Sequence, residues 1–144
     1  MIYIIFVGLV VAAAMTSPVA SVGNAILFTS AIVAFATSVS TFITASILGA
    51  SSSFSDSLKA NITALVAAVL IFAFAFQVAS KVPIVFLASP LLAFIVATVF
   101  LARGLSLSTP KAAIVSAVGC VITSITMKVA GAQIIQAAMG QHAA

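Results

Sequence analysis

The chain has 144 residues, 65% of them hydrophobic and 4% charged, whereas an average soluble domain is about 25% charged. That excludes an ordinary soluble globule, which needs a polar skin, and it excludes disorder, which needs low hydrophobicity and high charge. The net charge of +4 arises from five Lys and Arg set against a single acid, Asp56, so it marks missing acids rather than the basic run of a nucleic-acid-binding tail.

Chemistry is limited by the same inventory. With one acid, one histidine (His142), one cysteine (Cys120) and one tyrosine (Tyr3), no two groups can share acid and base duties, and no set has metal-ligand spacing. The chain is therefore expected not to be an enzyme and to carry no metal or cofactor. Cys120 cannot form an intramolecular disulfide and, lying in an apolar run, is expected to be a small buried hydrophobe.

Residues 1–14 are apolar and run into Thr16, Ser17 and Pro18. No Lys or Arg precedes them, so they are read as a short helix, near 1–16, rather than as a secretory signal. Four longer segments follow, near 23–49, 59–80, 83–102 and 111–130, each close to the roughly 20 residues that cross a bilayer core. Their ends carry helix punctuation. Ser55-Asp56-Ser57 offers N-caps, Pro83 opens a helix, Thr109-Pro110 pairs an N-cap with Pro at the first helical position, and Gly49 and Gly104 stand where C-terminal caps belong. Sustained apolar-polar alternation is missing, so strands are not predicted. The fold class is all-α: about five hydrophobic helices in a single domain, two helix hairpins behind a short N-terminal helix, in the manner of a membrane protein. A faint repeat supports the hairpins, because residues 59–70 align without gaps on 111–122 and residues 26–31 resemble 84–89.

Helix faces are legible in two segments. Phe28, Ile32, Phe35, Val39 and Phe42 make a bulky stripe in the second, while Ser30, Ala34, Ser38, Thr41 and Ala45 make a small one. The fifth repeats the small face with Ala112, Ser116, Gly119, Thr123 and Met127. Small and hydroxylated residues let helices approach closely in an apolar medium, so Ser30, Ala34, Ser38, Ser116, Gly119 and Thr123 are predicted close-packing positions. Pro90 removes the donor that would bond back to Phe86 and predicts a kink. Gln77 and Lys128 are the strongly polar residues near helix interiors, Lys128 snorkelling from near a helix end. Asn61-Ile-Thr63 matches a glycosylation sequon. If all five segments span, Lys59, Arg103 and Lys111 gather at one end and Lys81, Lys128 and His142 at the other; the positive-inside rule then puts the N-terminus inside and the C-terminus outside.

Two resemblances bear on function. With Ser21-Val-Gly23-Asn24 before a helix and a basic loop from Arg103 to Lys111, the layout is similar to the small membrane subunit of the tripartite tricarboxylate transporters, although the Gly-Pro-Gly and aromatic-Pro pattern of that family is missing. This resemblance implies a non-catalytic transmembrane subunit of a plasma-membrane transport complex. The second rests on composition and layout over the whole chain. There is no Trp, so aromatic belts are lacking, and 17 Ser with 10 Thr supply a neutral polar rim. A chain with apolar faces all round buries them against lipid or against copies of itself. In this it resembles the hydrophobic all-helical major capsid proteins of archaeal spindle-shaped and tailed-spindle viruses. That resemblance implies a self-assembling coat protein that enters the host membrane and then packs side by side in a virion around double-stranded DNA. Its partners would be lipid before assembly, other copies of the chain, and DNA phosphates facing Lys59, Arg103 and Lys111.

Overall fold

The computed structural model describes residues 1–16, 20–79 and 81–141, and their side chains except at 20–22, 133–135 and 137–141. Five helices make up the described residues: α1 (Ile2–Met15), α2 (Ala20–Ile47), α3 (Phe54–Ala79), α4 (Pro83–Gly104) and α5 (Thr109–Gln141). Gly23–Ile47, Phe54–Ala79, Pro83–Gly104 and Thr109–Ala132 are long and apolar enough to cross a bilayer. α1 has 14 residues and rises about 21 Å, short of the roughly 30 Å hydrocarbon core. The candidate spans among the described residues are thus the four long helices, so the condition that all five segments span is not met by length, and the start of α2 and the end of α5 fall at the same end of the bundle. His142 lies outside the described residues.

The four long helices form an antiparallel ring. α2 and α4 each pack on both α3 and α5, the backbones of the diagonal pairs stay apart among the described residues, and α1 rests on α2 and α3. Both expected hairpins, α2 with α3 and α4 with α5, are present. The most extensive seams nevertheless lie between them, α3 on α4 and α2 on α5, so each hairpin completes its core only against the other. Ala45, Ala60, Leu101, Leu105, Ala112 and Val115 pack together at one end of the bundle, under Leu48, Ala50, Ala102 and Leu107. This tight end carries the 48–53 and 105–108 turns.

Local chemistry sets the helix ends. α3 begins five residues before the expected Lys59, because Ser53 and Asp56 form a reciprocal capping box. The Ser53 backbone N–H and hydroxyl donate to Asp56 Oδ2 at 3.2 and 2.7 Å, and the Asp56 N–H donates to the Ser53 hydroxyl at 3.2 Å, which satisfies donors that the first turn leaves free. Asp56 thus acts from the first turn rather than as the cap itself. Phe42 and Phe54 meet edge to face at 5.9 Å and fasten the α2–α3 turn. Gly49, at φ +86°, ends α2 as expected, with the Ala50 N–H reaching back to the Ala45 carbonyl at 2.9 Å in a Schellman closure.

Gly104 works differently from the expected cap. Around the end of α4 the positive φ belongs to Ser106, at 52°, and the Leu107 N–H closes onto the Ala102 carbonyl at 3.0 Å. What Gly104 supplies is room: a Cβ there would stand 2.7 Å from Ala60 Cβ. α4 runs unbroken through Pro90, and the Ser89 hydroxyl donates at 2.7 Å to the Phe86 carbonyl, the acceptor that proline leaves without its helical donor. α5 continues past Ala130 to Gln141, since Ala, Gln and Met favour helix whether or not a segment stays apolar. Lys128 is therefore far from the helix end, yet about 28 Å along α5 from Thr109. That is close to the depth at which a bilayer core would finish, and its side chain is exposed.

Candidate functional site

The small stripe of α2 faces the bundle and the bulky stripe faces out. Ala34, Ser38, Thr41 and Ala45 are all at most 7% exposed, whereas Phe28 and Phe35 are 73% and 65% exposed. Ser30, further from the tight end, is half-buried. On α5, Ala112 and Ser116 are buried, Gly119 and Thr123 are half-buried, and Met127 is exposed. The α5 stripe therefore holds for its first three turns and then drifts outward, as a straight helix does when its small residues stop tracking its partner.

Between α2 and α3 lies a polar cluster. Asn61 Nδ2 donates to Thr37 Oγ1 at 2.7 Å and to Ser38 Oγ at 3.1 Å. The two hydroxyls in turn donate to the carbonyls of Val33 and Ala34, both at 2.6 Å. Each hydroxyl thus accepts from another helix while its own proton stays on its own backbone, an arrangement that leaves every polar proton in the cluster used. Gln77 lies within α3, as read, and its side chain is exposed. Asn61, which the sequence shows as part of a sequon, is 6% exposed and has both amide protons engaged, so in the folded chain its nitrogen is not displayed at the surface. The pattern Ser53-Phe54-Ser55-Asp56 was the available clue: starting α3 at Phe54 puts Asn61 two turns inside.

Below the tight end, α3, α4 and α5 line a pocket of about 380 Å³ that is open on one side. Thr41, Asn61 and Ser116 stand at the end nearest the tight packing, Ala64, Ala68, Ala93 and Ala97 line the sides, and Cys120, Thr123 and Ser124 line the α5 wall. Cys120 is exposed rather than buried as expected, because α5 turns that side of its middle away from the packed core.

The basic residues do not act as one group. Lys59 and Arg103 share a shallow depression with Asp56, Thr63 and Phe100, so one negative charge stands with two positive ones. Lys111 is directed elsewhere: its Nζ donates at 2.7 Å to the Leu48 carbonyl, capping the C-terminal end of α2, where a cation is favoured by the helix dipole. Lys111→Met is accordingly expected to lower stability by about 0.5–1 kcal/mol in reversible unfolding from detergent, whereas Lys59→Met is expected to change it by less.

Among the described residues, no three of His, Cys, Asp and Glu stand together. Gly23, the centre of the loop that carried the transporter resemblance, lies inside α2, with its Cα side against α1, where a Cβ would come within 2.8 Å of the Ala14 carbonyl oxygen. Fold and surface together define a membrane-protein-like bundle of four long apolar helices. Compared with protein-family models, curated proteins and solved structures, the chain matches none.

Proposed function

We propose that the chain is a structural, non-catalytic membrane protein whose working partner is further copies of itself, serving as the major coat protein of a particle that encloses double-stranded DNA. The observation that carries this reading is the perimeter. Large apolar side chains stand exposed on every long helix, among them Phe35 on α2, Phe74 on α3, Leu87 and Leu91 on α4 and Val121 on α5. Charged groups are confined to positions near the turns and to Lys128. Such a surface can be covered by lipid acyl chains or by an identical apolar surface, and because apolar contacts are non-directional, neighbours can reseat at several curvatures. The protein would enter a host membrane first and leave it as part of the particle. DNA contact would fall to Lys59 and Arg103, weak per subunit and summed over the lattice, with Lys111 holding α2.

The test is assembly. Purified protein freed of detergent is expected to form regular homopolymers visible by electron microscopy, and these are expected to retain DNA at low salt and release it as salt rises. Lys59→Glu with Arg103→Glu is expected to leave the polymers intact and abolish DNA retention. Recovery of the chain only in a fixed complex with a large unlike membrane protein would overturn the proposal and favour the transport-subunit reading.

A further inference from the structure

A groove of about 370 Å³ runs along the outer side of the α3–α4 seam. Its floor is made of small residues, Ala75 and Ser89, which are 1% and 2% exposed, and its rim of Leu70, Phe74 and Leu92, which are 51–65% exposed. The Ser89 hydroxyl is committed to the Phe86 carbonyl, so the floor presents no free proton and the groove suits an apolar occupant. In the ring, α2 and α5 form the flank opposite α3 and α4. There α2 carries the complementary shape, an outward ridge of Phe28, Ile32 and Phe35, which are 73%, 54% and 65% exposed.

Ridge and groove lie at the same depth. The bond from Asn61 on α3 to Thr37 on α2 fixes the level of these two antiparallel helices. Phe28 stands nine residues back from Thr37, and Leu70, on the groove rim, stands nine residues on from Asn61. Equal counts give an equal rise, about 14 Å. Copies inserted in one bilayer share one orientation, so a sideways step without any axial shift brings Phe28 of one copy to the groove of the next. By the same count Phe35 comes level with Thr63, beside the exposed Phe100.

We infer that the groove seats a second copy of this chain, Phe28 entering between Leu70 and Leu92, so that copies join head to tail in rows; this rests on the self-assembly proposed above and names the surfaces that carry it. An aromatic side chain brings about 150–250 Å², so the three ridge residues expose about 400 Å² between them and the contact covers about 800 Å² counted on both copies. That falls below the roughly 1,200–2,000 Å² of a stable pair, so a free dimer is not favoured. Ridge and groove are different surfaces, however, and a pair still has one of each unfilled, so the contact repeats along a row. A ring set on small residues supplies the close packing that joins helices in lipid, where apolar burial alone gives little.

The test is disulfide cross-linking of the full chain in phosphatidylcholine vesicles, with Cys120→Ala removing the native thiol and energy transfer between copies carrying amine-linked dyes reporting self-association. Asn24, one turn from Phe28, and Ala88, in the groove, are both exposed, and in the same register Asn24 comes level with Phe74 on the groove rim. The chain carrying Asn24→Cys and Ala88→Cys is expected to give a ladder of linked oligomers on mild oxidation. Either single variant alone is expected to stay monomeric, and an equal mixture of the two to stop at dimers. Phe28→Ala added to the double variant is expected to lower the linked product about tenfold, as loss of a buried anchor does. Leu87→Ala removes a side chain 78% exposed on α4 but outside the groove and is expected to keep the ladder. Dimers from a single variant would show a face pairing with itself, and energy transfer without a ladder would put the contact elsewhere; either result overturns the inference and leaves self-assembly standing. Monomers by both measures would overturn self-assembly as well and leave the groove to lipid.

Discussion

Gly104→Ala is expected to destabilise the bundle by about 1–2 kcal/mol, read as a lower denaturant midpoint in mixed micelles. Two effects oppose each other. Alanine is a better helix former than glycine by up to about 1 kcal/mol, but Gly104 is the last residue of α4, where little of that gain is realised. Against it stands a Cβ placed 2.7 Å from Ala60 Cβ and 3.5 Å from Ala60 Cα, a contact relieved only by moving two helix backbones apart. Overpacking of this kind costs about 1–3 kcal/mol. The seam concerned belongs to α3 and α4, among the most extensively packed pairs in the molecule, and Ala60 is part of the tight apolar end. Ala60→Gly removes the opposing methyl group, so the double variant is expected to recover most of the loss, with a coupling energy of about 1 kcal/mol or more. Gly104→Ala as stable as the parent chain, or no recovery in the double variant, would show that the helices do not cross this closely.

How much of this was open to reading from the sequence differs from helix to helix. The segments near 23–49, 59–80, 83–102 and 111–130 are visible because each is a long apolar run between turn residues, and the inner face of α2 is visible because Ala34, Ser38, Thr41 and Ala45 alternate with bulky residues at helical spacing. Both signals are local. Gly104 sits where a cap is expected, yet its role depends on Ala60, 44 positions earlier in the chain, and sequence spacing does not reveal a crossing point between helices. Ser106 takes the left-handed conformation that a glycine would adopt more cheaply, so composition pointed to the wrong residue of the turn. The start of α3 lies five residues before Lys59, because Ser53 rather than Ser55-Asp56-Ser57 supplies the cap. With the helix starting at Phe54, Asn61 falls two turns inside α3, where a residue that matches a sequon can instead face another helix. Cys120 and the cavity beside it were beyond sequence reasoning for a further reason: whether small residues produce close contact or empty space is decided by the helices facing them. The same is true of Lys111, whose partner is the Leu48 carbonyl rather than any side chain.

Asn61→Asp is expected to cost more than any other single change in the polar cluster, about 3 kcal/mol near neutral pH, and more than twice the loss in Asn61→Leu. The substitution changes almost nothing in size. It replaces two amide protons by lone pairs and adds a charge at a position 6% exposed. Thr37 Oγ1 and Ser38 Oγ, which accept those protons at 2.7 and 3.1 Å, would face carboxylate oxygens with their own protons still committed to Val33 and Ala34. They can turn to the carboxylate only by leaving their carbonyl partners. Asn61→Leu, by contrast, removes the inter-helix bonds and leaves both hydroxyls donating to their own helix, so its loss is that of two such bonds, about 1 kcal/mol or slightly more. Depth in the bilayer is not the deciding factor, since the exposed Lys59 lies two residues away; burial between α2 and α3 is. Unfolding free energies of the two variants, measured in the same detergent, separate these effects. Equal losses in Asn61→Asp and Asn61→Leu would mean that water reaches position 61 through the neighbouring pocket, and would overturn the reading that the paired amide and hydroxyl protons of this seam are shielded from water.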